Sequence, residues 1–215
     1  MKPKILVINP NSNESVTLGI ELALQSRRED YYLDIVCSTL EKGPFGIESD
    51  EDIEVAVPLV VSEVCSNVAF DAFIIACYSD PGLNESRAVS KKLVFGIHES
   101  AVSLSATYGR RFGVLALNRG SIQRHIAYVR HLGYQSFHAG ERPLDISVDE
   151  AANDPGVLQR IIESGRLLVE EDGAETVILG CTGLARHREA AEQAIGVHVI
   201  DPVQAAVALA AEALG

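Results

Sequence analysis

Nowhere in the 215 residues does an uninterrupted apolar run approach the about 18 positions that a membrane-crossing helix requires. Positive charge is scarce, with 18 Lys and Arg against 30 Asp and Glu, a net charge of −12 and a pI near 4.9. Nucleic acid and anionic lipid both select basic surfaces, so neither is an expected partner. The four cysteines, Cys37, Cys65, Cys77 and Cys181, include no CxxC pair. The six histidines form no HExxH and no Cys/His cluster, so neither a disulfide framework nor a metal site is expected. GxGxxG and Walker sequences are missing too, which removes the usual phosphate cradles. None of Lys2, Lys4, Lys42, Lys91 and Lys92 follows a buried strand in the way a Schiff-base lysine would. The expectation is chemistry done with no cofactor and no metal, on a small-molecule substrate. The opening MKPKILVINP reads as a charged turn into a strand rather than a secretory signal, so the chain is expected to be cytoplasmic.

What is present is an apolar fraction of 47%, ample for a core, and one stretch around which the rest is arranged. In Phe70–Leu83, FDAFIIACYSDPGL, the run Ala72–Ala76 reads as a strand buried on both faces that ends at Cys77. Open α/β sheets bind ligands beyond the carboxyl ends of their strands, which is where this thiol falls. Asp80 and Pro81 read as the N-cap and first position of a following helix, whose N–H groups would favour a thiolate. The pattern returns in Glu175–Leu184, ETVILGCTGL, with Cys181 in the place of Cys77.

The remainder repeats in the same way. Lys4–Asn9 is a strand, the turn Asn9-Pro10-Asn11-Ser12 leads into a helix capped by Asn11 or Ser12 and reaching about Arg28, and Tyr31–Cys37 is a second strand. Helical spacing of Ile53, Val57, Val60, Val61, Val64 and Val68 predicts a helix over 50–69, kinked or late-starting at Pro58. A helix to about Lys91, a strand at Leu93–Ile97 and a helix ending at Gly109 complete the first half. Strands at Arg111–Leu117, Tyr134–His138 and Val197–Asp201 flank the Cys181 strand, and Asn118-Arg119-Gly120-Ser121 repeats the Asn-x-x-Ser turn. Residues 141–154 read as a polar loop and 202–214 as a last helix. The predicted fold is α/β, with two pseudo-symmetric lobes, 1–98 and 99–201, each a four-stranded parallel sheet flanked by helices. The tail 202–215 is then able to pack back on the first lobe, and the two cysteines face each other across one cleft. Cys37 and Cys65 read as structural thiols.

Two facing thiols suit stereochemical inversion, one taking a proton as thiolate while the other returns one to the opposite face. Backbone N–H groups of Tyr78, Ser79, Thr182 and Gly183 would stabilise the oxyanion that develops. A single-nucleophile alternative would recruit His98 or His187, neither of which lies in a recognisable signature. His125, His131 and His138 read as solvent-facing, and Arg87 and Arg186, the only basic residues near the cysteine stretches, read as outward. A neutral substrate is therefore favoured.

INPNS at 8–12, ACYSDPGL at 76–83 and LGCTG at 179–183 resemble the Asp/Glu/hydantoin racemase superfamily over nearly the whole chain, and most of all its hydantoin and allantoin racemase branch. The resemblance implies cofactor-independent racemisation with Cys77 and Cys181 as the acid–base pair. It implies substrate contacts from Asn9, Asn11, Ser12, Tyr78, Ser79, Leu117, Thr182 and Gly183. Ala116 and Leu117 depart from the hydroxyl residues common at that strand end, Tyr78-Ser79 replaces an aromatic-Gly pair, and Thr182 is nearer the amino-acid racemases. A maleate-type isomerase or lyase, an Asp/Glu racemase and a ligand sensor remain as alternatives. Compact enzymes of this kind commonly self-associate, so a homo-oligomer is expected.

Overall fold

A computed structural model describes residues 2–25, 31–107 and 111–215. Its centre is built from β1 (Lys4–Asn9), β3 (Ala72–Ile75), β5 (Phe112–Ala116) and β7 (Thr176–Leu179). Apart from Lys4, every residue of these four strands is buried. Runs with no polar alternation are what a parallel strand covered on both faces requires. With the edge strands β2 (Asp34–Thr39), β4 (Leu93–Gly96), β6 (His138–Pro143) and β8 (His198–Ile200) they form two four-stranded sheets, ordered β2-β1-β3-β4 and β6-β5-β7-β8, with every pairing parallel. The order is the same in both, and in each the connections diverge between the first and third strands. That divergence is a topological switch point, the place where such sheets open a crevice. Cys77 and Cys181 each lie two residues past the third strand of their sheet.

The helices are α1 (Glu14–Gln25), α2 (Asp50–Ser66), α3 (Leu83–Val89), α4 (Ile97–Thr107), α5 (Arg119–His131), α6 (Val148–Asn153), α7 (Val157–Glu170), α8 (Arg188–Ile195) and α9 (Pro202–Leu214). Among the described residues no helix is long and apolar enough to cross a membrane. The last helix, α9, is capped by Asp201, whose carboxylate accepts from Val203 and Gln204 N–H, and it packs against α4, β3 and β4. One apolar cluster runs through both halves, from Ile5, Val7 and Ile74 to Leu115, Leu179 and Val203, so the sheets share a continuous core.

Several local expectations are corrected. The first helix begins at Glu14, not after Asn11 or Ser12. The Asn11 side chain accepts from Asn13 N–H in an Asx turn, and Asn13 Oδ1 then accepts from Ser15 N–H at the helix start. The expected continuation toward Arg28 and the helix end at Gly109 lie outside the described residues. Helix α2 passes through Pro58 from a complete capping box of Ser49 and Asp52. In the second half Gln135–Phe137 is a short 3-10 turn, and the edge strand is His138–Pro143. An edge strand needs ladder bonds on one side only, so HAGERP serves without the apolar run that would announce it. The supposed loop 141–154 contains that strand's end and α6, which Ser147 and Glu150 start with another capping box.

Asp80 is the most instructive difference. It stands at φ 45 and is followed two residues later by Gly82 at φ 73, so the chain turns twice through the left-handed region before α3 begins at Leu83. The Asp80 carboxylate is thereby turned to a neighbouring helix. Its two oxygens accept from His98 N–H at 3.0 Å and Glu99 N–H at 3.1 Å, capping α4 from 18 residues away.

Candidate active site

Beyond the two switch points lies a cleft of about 480 Å³, counting its open mouth. Cys77, Cys181, Asn11, Tyr78, Ser79, Leu117 and Thr182 all line it. Asn9, Ser12 and Gly183 do not. Asn9 is fully buried, its amide donating to Asn11, Asn13 and Thr17 while its oxygen accepts from Asn11 N–H, so it holds the turn together. Ser12 sends its N–H to Pro44 O at 2.9 Å. Gly183 points its open side at Ala151, where a Cβ would stand 3.2 Å from the alanine methyl, and its N–H reaches the Cys181 sulfur at 3.4 Å.

A buried hydrogen bond joins the two halves beside the cysteines. Thr182 Oγ1 donates to Ala76 O at 2.9 Å, joining the residue after Cys181 to the residue before Cys77. Gly180, just ahead of Cys181, is needed for close approach, since a Cβ there would sit 2.5 Å from the backbone oxygen of Leu115. Gly180→Ala is expected to push β7 from β5 and lower stability by about 1–3 kcal/mol, an overpacking cost measurable by urea unfolding.

A further wall of the cleft comes from α5. Asn118, Ser121, Arg124 and His125 line the cleft at spacings of three and four residues, which is one face of a helix. Asn118 Oδ1 accepts from Ser121 N–H at 3.0 Å, and Asn11 Oδ1 accepts from Asn13 N–H at 2.9 Å. With both oxygens engaged, each amide offers its NH2 as the remaining donor group. Ile47, Glu48 and Val148 close the mouth, and Glu48 Oε1 accepts from Val148 N–H at 2.8 Å across the halves.

The reading of His125 as solvent-facing is overturned. It is 3% exposed, and its Nδ1 lies 2.9 Å from Glu141 Oε2, a carboxylate whose side chain is fully buried. His138 Nε2 lies 3.4 Å from the other Glu141 oxygen, without a hydrogen bond between them. His98 is buried as well. Its Nδ1 bonds Tyr78 O at 2.8 Å and its ring stacks on the Tyr78 ring at 4.0 Å. Burial holds His98 well below the ordinary histidine range, so it is a neutral ring that braces the residue next to Cys77. Periodicity missed these groups because α5 looks amphipathic with polar residues outward. The Asn-x-x-Ser turn at 118–121 was the usable signal, because it places the start of α5 at a switch point. The expectation of no cation in the site is corrected too. Arg87 does pair outward, with Glu99, but Arg124 lines the cleft, its Nη1 3.1 Å from Asp50 Oδ1.

The sulfurs are not the ready thiolates that helix N-termini alone would make. Burial pushes both thiols up to about 12, against the lowering effect of Ser79 on Cys77 and of Gly183 N–H on Cys181. The charge of one sulfur also raises the other, which places them in a single electrostatic unit. A thiol in the unfolded chain ionises near about 8.5, so from there to about 12 the folded chain keeps protons the unfolded chain has lost. Stability is therefore expected to fall as pH rises above about 9. The fall should be shallower in Cys181→Ala, as read by urea midpoints at a series of alkaline pH values.

Two parallel α/β lobes with a cysteine beyond the third strand of each, both opening on one crevice, define a class of two-thiol cleft proteins. The family model for Asp/Glu/Hydantoin racemase matches residues 5–210, and the chain belongs to that family, as an isomerase of the racemase type. It is 37% identical over 96% of its length to a hydantoin racemase of a Pseudomonas strain, covering 84% of that protein. A hydantoin racemase of Rhizobium meliloti is 34% identical over 98% of the chain and 88% of the relative. Among solved structures, allantoin racemase from Klebsiella pneumoniae superposes with a TM-score of 0.92 at 26% identity, over 99% of this chain and 87% of that one.

Proposed function

We propose that the chain racemises a hydantoin-type or allantoin-like ring by moving a proton between Cys77 and Cys181, with 1–98 and 99–201 each supplying half of one centre. The observation that carries this reading is the presence of both sulfurs on one cleft at equivalent strand ends. The substrate carbon lies between them. A thiolate takes its hydrogen as a proton, the C–H electrons move into the ring carbonyl as an enolate, and the opposite thiol gives its proton to the other face. Afterwards the two sulfurs have exchanged roles, and catalysis needs only the chain's own groups. A thiol raised by burial is rarely ionised but is a stronger base once it is, which suits a weakly acidic C–H.

Donors for the ring come from both lobes. The NH2 groups of Asn11 and Asn118, each two residues past the first strand of its sheet, match a ring with two carbonyls. Leu117, Val16 and Ile47 supply apolar wall for the ring substituent, while Tyr78, Ser79 and Thr182 hold the strand ends. The test is incubation of one enantiomer of a 5-substituted hydantoin, and separately of allantoin, in deuterated water. Loss of optical rotation together with one deuterium at the stereocentre supports the reading. A stable thioether on Cys77, or turnover without deuterium, assigns the chain to addition chemistry instead.

A further inference from the structure

The two sulfurs occupy repeated positions, but the charges around them are not repeated. Cys77 is faced by Ser79 and Asp80 from its own strand end, by Arg124 from α5 and by Cys181. Cys181 is faced by Gly183 N–H, by Cys77 and by Glu48. Tyr78 and His125 complete the ionisable lining. Arg124 has no counterpart on α1, where Thr17 follows Ser12 and Asn13, and Glu48 has none in the second lobe, where Ile146-Ser147 leads into α6. Both charges are anchored. Arg124 is tied to Asp50 at the start of α2, with its Nε buried and without a hydrogen-bond partner among the described residues. Glu48 is tied to the first N–H of α6, the helix that packs on the turn after Cys181.

We propose that Arg124 and Glu48 break the symmetry of the thiol pair, so that the first proton to leave comes from Cys77 while Cys181 keeps its own. This rests on the two-thiol reading for its catalytic meaning, although sulfur ionisation can be measured without turnover. A cation beside Cys77 favours its anion, and a carboxylate beside Cys181 opposes one there. Asp80 acts on Cys77 in the opposite sense and, when ionised, more strongly than Arg124, but burial raises its own ionisation to about 8, so at about pH 7 it is mostly protonated and Arg124 is the charge that remains. The resting protein is then poised for the enantiomer that presents its hydrogen to Cys77. Arg124 and Glu48 are positioning residues for a proton rather than for the substrate.

Site-resolved alkylation tests this. The intact protein is treated with iodoacetamide at about pH 7, where Asp80 is mostly protonated, and modification of each cysteine is followed by peptide mass spectrometry. The ratio of variant to wild-type rate at one sulfur cancels its accessibility. Removing one nearby charge changes a thiol's ionisation by about tenfold, and the compensating gain in thiolate reactivity reduces the net effect to about threefold. Arg124→Gln is expected to slow Cys77 about threefold and leave Cys181 nearly unchanged, with Arg124→Lys close to wild type. Glu48→Gln, which keeps an oxygen for Val148 N–H, is expected to speed Cys181 about threefold. Unchanged ratios, equal changes at both sulfurs, or a Glu48→Gln effect confined to Cys77 would overturn the proposal. If Arg124→Gln does not fold, Arg124→Lys and Glu48→Gln decide it. The expected ratios together with no racemase activity in the unaltered protein would instead count against the two-thiol reading.

Discussion

Cys77→Ala and Cys181→Ala are each expected to lower racemisation by about two to four orders of magnitude, the span that positioned proton transfer contributes. The size follows from the geometry of inversion. With one sulfur gone, the remaining one can take and return a proton only on its own face, and the planar intermediate reverts to the hand it came from. Each variant should therefore still exchange the stereocentre hydrogen of one enantiomer with solvent deuterium, and the two variants should do so for opposite enantiomers. The double variant should be little slower than either single one, because the pair acts as a unit. Polarimetry and proton NMR in deuterated buffer measure both. Wild-type racemisation by either single variant would sink the pairing.

Thr182→Val should be the next most damaging change among those outside the sulfurs. The swap keeps the shape of the side chain and removes the donor to Ala76 O, leaving a buried carbonyl without its 2.9 Å partner. An unsatisfied buried group costs about 1–3 kcal/mol, so thermal unfolding should move to lower temperature. The larger effect is expected on kcat. This hydrogen bond ties the residue after Cys181 directly to the residue before Cys77, and a misplacement of about 1 Å between reacting groups can cost about a hundredfold. Thr182→Ser retains the hydroxyl and should restore most of the rate. A valine variant with unchanged kcat would show that packing alone holds the sulfurs in register.

Much of the fold was legible because parallel strands are so plainly written. AFII and TVIL, buried on every residue, can hardly be anything but central strands, and each delivers its cysteine to the same end of its sheet. The edge strand His138–Pro143 was not legible, because half-buried polar residues paired on one side carry no periodic signal. The same limit hid His125 and Arg124. Helical spacing says which residues share a face of α5, but not that the start of this face lies over a crevice. Asp80 was misassigned because capping rules work locally, whereas its carboxylate caps a helix 18 residues on.

By itself the sequence determined the α/β class, the duplication and the two cysteines, since these depend on patterns a few residues long. Only the tertiary structure decided what surrounds each sulfur: the bond from Thr182 to Ala76, the Arg124 charge acting on Cys77 and the Glu48 charge acting on Cys181, and the burial that raises both thiols. Burial and electrostatic fields are sums over residues distant in the chain, and no local pattern contains them.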